Sequence, residues 1–133
     1  MPVDQSLVGR SFPPTAAFTV TEDRVRAFAE ATGSSYDGGP APATFPIVMA
    51  FEAMNAFLEA EQLDLFRIVH GEQKFAYERP IVPGDVLTAT LSVASLRQIA
   101  GNDIIGTTSR ITDESGALVC ATSATLVHRG AES

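Results

Sequence analysis

The sequence predicts an α+β domain in which a curled antiparallel sheet wraps one long buried helix. Three observations predict it. Residues 47–61 form an apolar run of helix formers whose only polar residues before the closing Glu61, namely Glu52, Asn55 and Glu59, are spaced three and four apart. That is a single narrow polar stripe, and a helix apolar nearly all round is expected to be enclosed by other structure. Beyond residue 68 the apolar period shortens to two, as Leu87, Ala89, Leu91 and Val93 alternate with Thr88, Thr90 and Ser92. The third is order along the chain: strands following helices point to a segregated antiparallel sheet.

The whole chain has 133 residues, which suits one domain spanning 1–133. Chains of this size bury roughly two-thirds of their unfolded surface, enough for a core without staples. Hydrophobic residues make up 45% and charged residues 19%, which excludes disorder for the chain as a whole. Sixteen acids against nine Lys and Arg give a net charge of −7. Nucleic-acid binding needs clustered cations, so none is expected. Cys120 is alone and has no disulfide partner within the chain, consistent with a reducing cytoplasm. Two His and one Cys are too few and scattered for a zinc site, and neither a metal nor a cofactor is expected. Residues 1–10 lack the basic and apolar regions of a signal peptide. The apolar run at 47–58 is shorter than the ~20 residues of a membrane span, so a soluble cytoplasmic protein is expected.

The elements follow in order. Ala16 to Val20 reads as a short strand. Thr21 is placed to cap a helix with Glu22 and Asp23 in its first turn, where the helix dipole favours acids. Val25, Phe28 and Ala29 carry that helix to about Thr32, and Gly33 ends it. Residues 34–43 are a loop by composition. Pro46 suits the first turn of the second helix, with Thr44 just upstream as a cap, and the helix runs to about Glu61. Strands are expected over Ile68 to Glu78, from Leu87 through Val93, over Ile104 to Thr112 and over Leu118 to Val127, as a meander with turns at 80–84, 100–103 and 113–116. One sheet curled on one long helix is a hotdog fold. It leaves an edge, so a dimer is expected.

Several segments then resemble MaoC-like hydratase/dehydratases. They are Val8-Gly9-Arg10 with Pro13-Pro14, Phe28-Ala29-Glu30-Ala31-Thr32-Gly33, Ala41-Pro42-Ala43-Thr44-Phe45-Pro46, Val69-His70-Gly71-Glu72-Gln73-Lys74-Phe75, Arg79-Pro80 with Pro83-Gly84-Asp85, and Ala100-Gly101-Asn102-Asp103-Ile104. The resemblance covers essentially the whole chain and is closest to the N-terminal type found as subunits of (3R)-hydroxyacyl-ACP dehydratases. It implies a hotdog dimer whose ligands are acyl thioesters of CoA or acyl carrier protein. Active members of that family carry a G-D-x-N-P-x-H segment after the first helix, whose Asp and His perform acid–base chemistry at the thioester. Here the stretch is Gly33-Ser34-Ser35-Tyr36-Asp37-Gly38-Gly39: Ser34 stands where the Asp belongs and there is no His. The longer insertion of the family before the Ala-Pro-x-Thr-Phe segment is cut to a few residues.

The resemblance therefore implies an acyl-thioester-binding protein, a catalytically degenerate subunit in fatty-acid or polyketide-type metabolism. It would form a homodimer or pair with a catalytic MaoC-like subunit. The alternative is an active (3R)-specific enoyl hydratase/dehydratase, or another thioester-processing enzyme, using displaced residues. Tyr36 and Asp37 are candidates for a shifted acid–base pair, against a solvated Gly-rich turn. His70 is a candidate base near neutral pH, against a structural hydrogen-bonding cluster. Thr44, Phe45 and Ile47 flank a helix N-terminus whose free N–H groups suit a thioester carbonyl, against ordinary capping. Cys120 is expected to be a small buried hydrophobe and His128 to lie at the surface. Met49, Phe51, Met54, Phe57 and Leu58 are expected as core, with one or two of them lining an acyl channel. An acidic carrier protein would dock on Arg24 and Arg26, or on Lys74 and Arg79.

Overall fold

The computed structural model describes residues 5–63 and 65–129. Helix α1 spans Glu22–Ala31 and starts as expected: the Thr21 hydroxyl accepts the Arg24 N–H at 3.2 Å. It ends on Gly33, whose φ of +82° suits glycine. Ser34 N–H then donates to Ala29 O (2.8 Å) and Gly33 N–H to Glu30 O (3.1 Å), so the last carbonyls are satisfied.

Helix α2 spans Ile47–Ala60. The expected Thr44 cap does not form. Instead the chain tightens into the helix through backbone bonds: Ile47 N–H to Thr44 O (3.0 Å), Val48 N–H to Phe45 O and Met49 N–H to Pro46 O (both 3.1 Å). Carbonyls one turn back take the donors that a side-chain cap would have taken. Met49, Ala53, Met54, Phe57 and Leu58 are buried, and Phe57 meets the Phe12 ring edge-on at 5.0 Å. The helix is not enclosed all round, however. Phe51, Glu52, Asn55 and Glu59 all face outward, because the sheet curls around only one side.

Five antiparallel strands make that sheet: β1 Phe18–Thr19, β2 Ile68–Tyr77, β3 Val86–Ile99, β4 Asn102–Thr112 and β5 Leu118–His128, in the order β1-β3-β4-β5-β2. Only β3, β4 and β5 form the expected meander. β2 pairs with β5 at the far edge, so the chain crosses the sheet between β2 and β3. β1 is shorter than expected. The segment before it hugs β3 through separate bonds such as Phe12 N–H to Leu91 O and Thr15 N–H to Ala89 O, both 2.9 Å. The β3 side is thereby covered, while β2 has no strand beyond it among the described residues.

The 100–103 turn is tighter than expected. Ala100 and Gly101 alone make it, with φ of +53° and +83°, and Asn102 and Asp103 already belong to β4. The 113–116 turn forms where expected, with Asp113 Oδ1 accepting from the backbone of Ser115 (2.9 Å) and Ala117 (3.1 Å).

The registers stack side chains in rows across the concave face. Ala89, Ile111, Cys120 and Tyr77 form one row and Leu96, Ile105, Leu126 and His70 another. Between them lie Leu91, Ser109, Thr122, Phe75 and then Val93, Thr107, Ala124, Gln73. A last row holds Gln98, Asp103, His128 and Ile68. His128 is therefore not a surface residue. It is 8% exposed, with Nδ1 3.4 Å from Asp103 Oδ2, because β5 carries its inward parity to its final residue.

Candidate functional site

Helix α2 and the edge strand β2 diverge at the start of the helix. The hollow between them, about 340 Å³, is lined by Ile47, Phe51, His70, Gly71, Glu72 and Gln73. A bulge at Gly71 shifts the β2 register between His70 and Glu72. Two residues so shifted keep both polar side chains on one face, and His70 Nε2 meets Gln73 Oε1 at 3.0 Å. Beneath the hollow a narrow seam of about 10 Å³ runs under the helix between Ala50 and Met54 on one side and Thr107, Ser109 and Thr122 on the other. Its volume admits about one water.

Of the six residues that sequence places at a site, His70 and Ile47 share this hollow. Tyr36 is buried, and its hydroxyl donates to Gly39 O at 2.6 Å. Asp37, next in sequence, is exposed on the Gly-rich turn. Thr44 is exposed, and Phe45 is core, edge-on to Phe28 at 5.4 Å. None of these four lines the hollow. The N–H groups of Phe45, Ile47, Val48 and Met49 are all committed to carbonyls of residues 42–46. The residues that sequence reasoning missed are Gln73, Thr107, Ser109 and Thr122. The available signal was the Ile105-x-Thr107-x-Ser109-x-Ile111 alternation, which places hydroxyls between two Ile of one face.

A second groove of about 410 Å³ lies where β2 ends, against Ala41, Ala43 and Pro80. Tyr77 donates its hydroxyl to Ala43 O (2.5 Å) there. Burial, with the neighbouring Cys120 thiolate a lesser cause, pushes its pKa up to about 12. Arg79 closes the end by a two-pronged ion pair with Asp85 (2.9 and 3.1 Å) and a longer one to Asp113 (3.4 Å). These carboxylates raise the Arg79 pKa, hydrogen bonding to Asp85 first among the causes. Cys120 is buried, and that burial raises its thiol pKa, the opposite of what a nucleophile needs.

The basic residues considered for carrier docking each sit beside a local partner. Arg24 lies over Phe18 at 4.4 Å, and Arg26 is 3.6 Å from Asp23. Lys74 is 3.8 Å from Glu72. Among the described residues no three acidic, His or Cys groups converge to hold a metal, and no helix is long and apolar enough to cross a membrane.

The model of the FAS1-like dehydratase domain region matches residues 6–122. A UPF0336 protein of Streptomyces coelicolor is 41% identical over 148 aligned positions, covering 99% of both chains. One of Saccharopolyspora erythraea is 38% identical, covering 98% of this chain and 94% of its own. Among solved structures, the HadBC (3R-hydroxyacyl-ACP dehydratase) complex of Mycobacterium tuberculosis superposes with a TM-score of 0.81 and 26% identity, covering 96% of this chain and 99% of that one. A MaoC-like dehydratase matches with a TM-score of 0.80 and 27% identity over 96% of this chain and 43% of its own. The curled sheet on one central helix and these matches together make the chain a member of the MaoC-like hotdog dehydratase family.

Proposed function

We propose that this chain is an acyl-thioester-binding subunit of a (3R)-hydroxyacyl-CoA or -ACP dehydratase, and that it supplies binding rather than acid–base chemistry. The observation that carries this reading is the loop after α1. Ser34 occupies the position of the family's Asp and is exposed, Asp37 points to solvent, and the Tyr36 hydroxyl is spent on Gly39 O at 2.6 Å. Dehydration needs a base for the α-proton and an acid for the departing hydroxyl, each contributing typically 10²–10⁴-fold. The loop offers no such pair. His70 and Gln73 line the hollow but hold each other at 3.0 Å.

The partner in this reading is a MaoC-like subunit bearing the intact G-D-x-N-P-x-H segment, or a second copy of this chain, joined along β2. The HadBC neighbour is a complex of two different subunits, which favours the first. Val69, exposed on that strand, would be covered there. The protein is expected to work in the cytoplasm, where CoA and carrier-protein thioesters are found.

The test is hydration of crotonyl-CoA by the purified protein, alone and mixed with an intact MaoC-like subunit, alongside calorimetric titration with CoA thioesters. Binding with little turnover alone supports the proposal. Turnover near that of intact family members, abolished in His70→Ala, would overturn it and make His70 the base.

A further inference from the structure

The middle of the concave face is unlike the rest of the core. Apolar rows flank it, and helix α2 covers it with Ala50 and Met54, yet Thr107, Ser109 and Thr122 place three hydroxyls there. Thr122 donates to Ser109 O at 3.3 Å and Thr107 to Ala124 O at 3.5 Å, both long contacts to strand carbonyls. Ser109 as a residue is only 4% exposed, but its hydroxyl is not sealed off, since no fully buried side-chain oxygen or nitrogen lacks a partner among the described residues. It faces the seam instead. A hydroxyl that lines a seam and donates to no strand carbonyl is open to a hydrogen bond from whatever enters.

The seam also has a way in. Ile47, Phe51, His70 and Gln73 line both the seam and the open hollow outside it. Phe51 is 43% exposed, and Met54 has an unbranched side chain with three rotatable bonds, so the wall on the helix side is the one that can yield. A chain entering from the hollow passes the His70–Gln73 pair first and reaches Ser109 and Thr122 afterwards.

We propose that the seam selects acyl groups carrying an oxygen function on the far part of the chain, beyond the carbons next to the thioester, over unsubstituted alkyl chains. The inference rests on the thioester-binding reading above. A plain alkyl chain pushed over Ser109 would shut that hydroxyl away from solvent and leave it unpaired. A distal hydroxyl or keto oxygen would pair with Ser109 and Thr122 instead. Sites that leave a polar group unpaired discriminate strongly against the analogue lacking its partner.

The test compares hexanoyl-CoA, (3R)-3-hydroxyhexanoyl-CoA and 5-hydroxyhexanoyl-CoA by calorimetric titration of the full chain. Wild type is expected to bind the 5-hydroxy probe about tenfold more tightly than hexanoyl-CoA. Ser109→Ala and the near-isosteric Thr122→Val are each expected to shrink that preference. Ser109→Ala removes no internal hydrogen bond, so its fold is expected to survive, as a thermal melt will show. Equal binding of all three probes, unchanged in Ser109→Ala, overturns the selectivity and leaves thioester binding standing. A preference for the 3-hydroxy probe alone, insensitive to Ser109, also overturns it. Failure of every CoA thioester to bind removes the thioester reading and this inference with it.

Discussion

The guanidinium of Arg79 grips the carboxylate of Asp85 through both of its terminal nitrogens, at 2.9 and 3.1 Å, six residues along the chain. The pair pins the crossover that carries the backbone from β2 to β3. Asp85 Oδ2 also accepts the Val82 N–H at 2.9 Å. Burial pushes the Asp85 pKa upward, but the Arg79 and Val82 hydrogen bonds and the Arg79 charge outweigh it, and the net shift is down. A carboxyl lowered in the folded state stabilises fully above its unfolded pKa, about 3.9, and that stability is lost as pH falls through the lower folded value. Asp85→Asn is expected to cost about 1 kcal/mol near neutral pH, a figure kept small because Arg79 is more than a third exposed. Thermal melts of the two proteins should converge as pH falls through the lowered folded pKa of Asp85. A gap that persists in acid would show that the loss is one of packing.

Tyr36→Phe removes one hydroxyl whose single partner is Gly39 O at 2.6 Å. Stability is expected to fall by about 1 kcal/mol, with thioester affinity unchanged. Denaturant titration and calorimetry check the two halves. A large loss of affinity with unaltered stability would return Tyr36 to the site.

Phe57 is fully buried in α2 and packs edge-on against Phe12. Phe57→Ala should cost about 3–5 kcal/mol, read from a urea melt, as large core truncations do. Phe51→Ala on the open side of the same helix is expected to cost far less, because Phe51 is 43% exposed.

The uncovered β2 edge predicts association, since a ten-residue strand with one free edge is seldom left unpaired. Light scattering at micromolar concentration should show a dimer, or a complex once a MaoC-like partner is added. Val69→Lys puts a charge on an already exposed position of that strand and is expected to weaken association while leaving the melt of the isolated chain nearly unchanged. A wild-type monomer that ignores every such partner would count against the pairing.

Local signals in the sequence determined α1 with its Thr21 cap and Gly33 terminator, the long α2, and the alternating strands, because caps, periodicity and turn residues act within a few positions. That residue 34 is Ser and that residues 33–39 hold no His was also legible, since it is a matter of residue identity. Strand order was not. That β2 passes over the meander to pair with β5 depends on contacts some fifty residues apart, such as Phe75 with Thr122, which no local pattern encodes. Nor did alternation say which parity faces inward at a strand end, so His128 was expected outside and is found beside Asp103. The candidate site divides the same way. His70 and Ile47 stood out in the sequence, but Ser109 and Thr122 are ordinary strand residues one by one. Only the register of β4 against β5, set by the tertiary pairing, brings their hydroxyls under one helix and gives them a common chemistry.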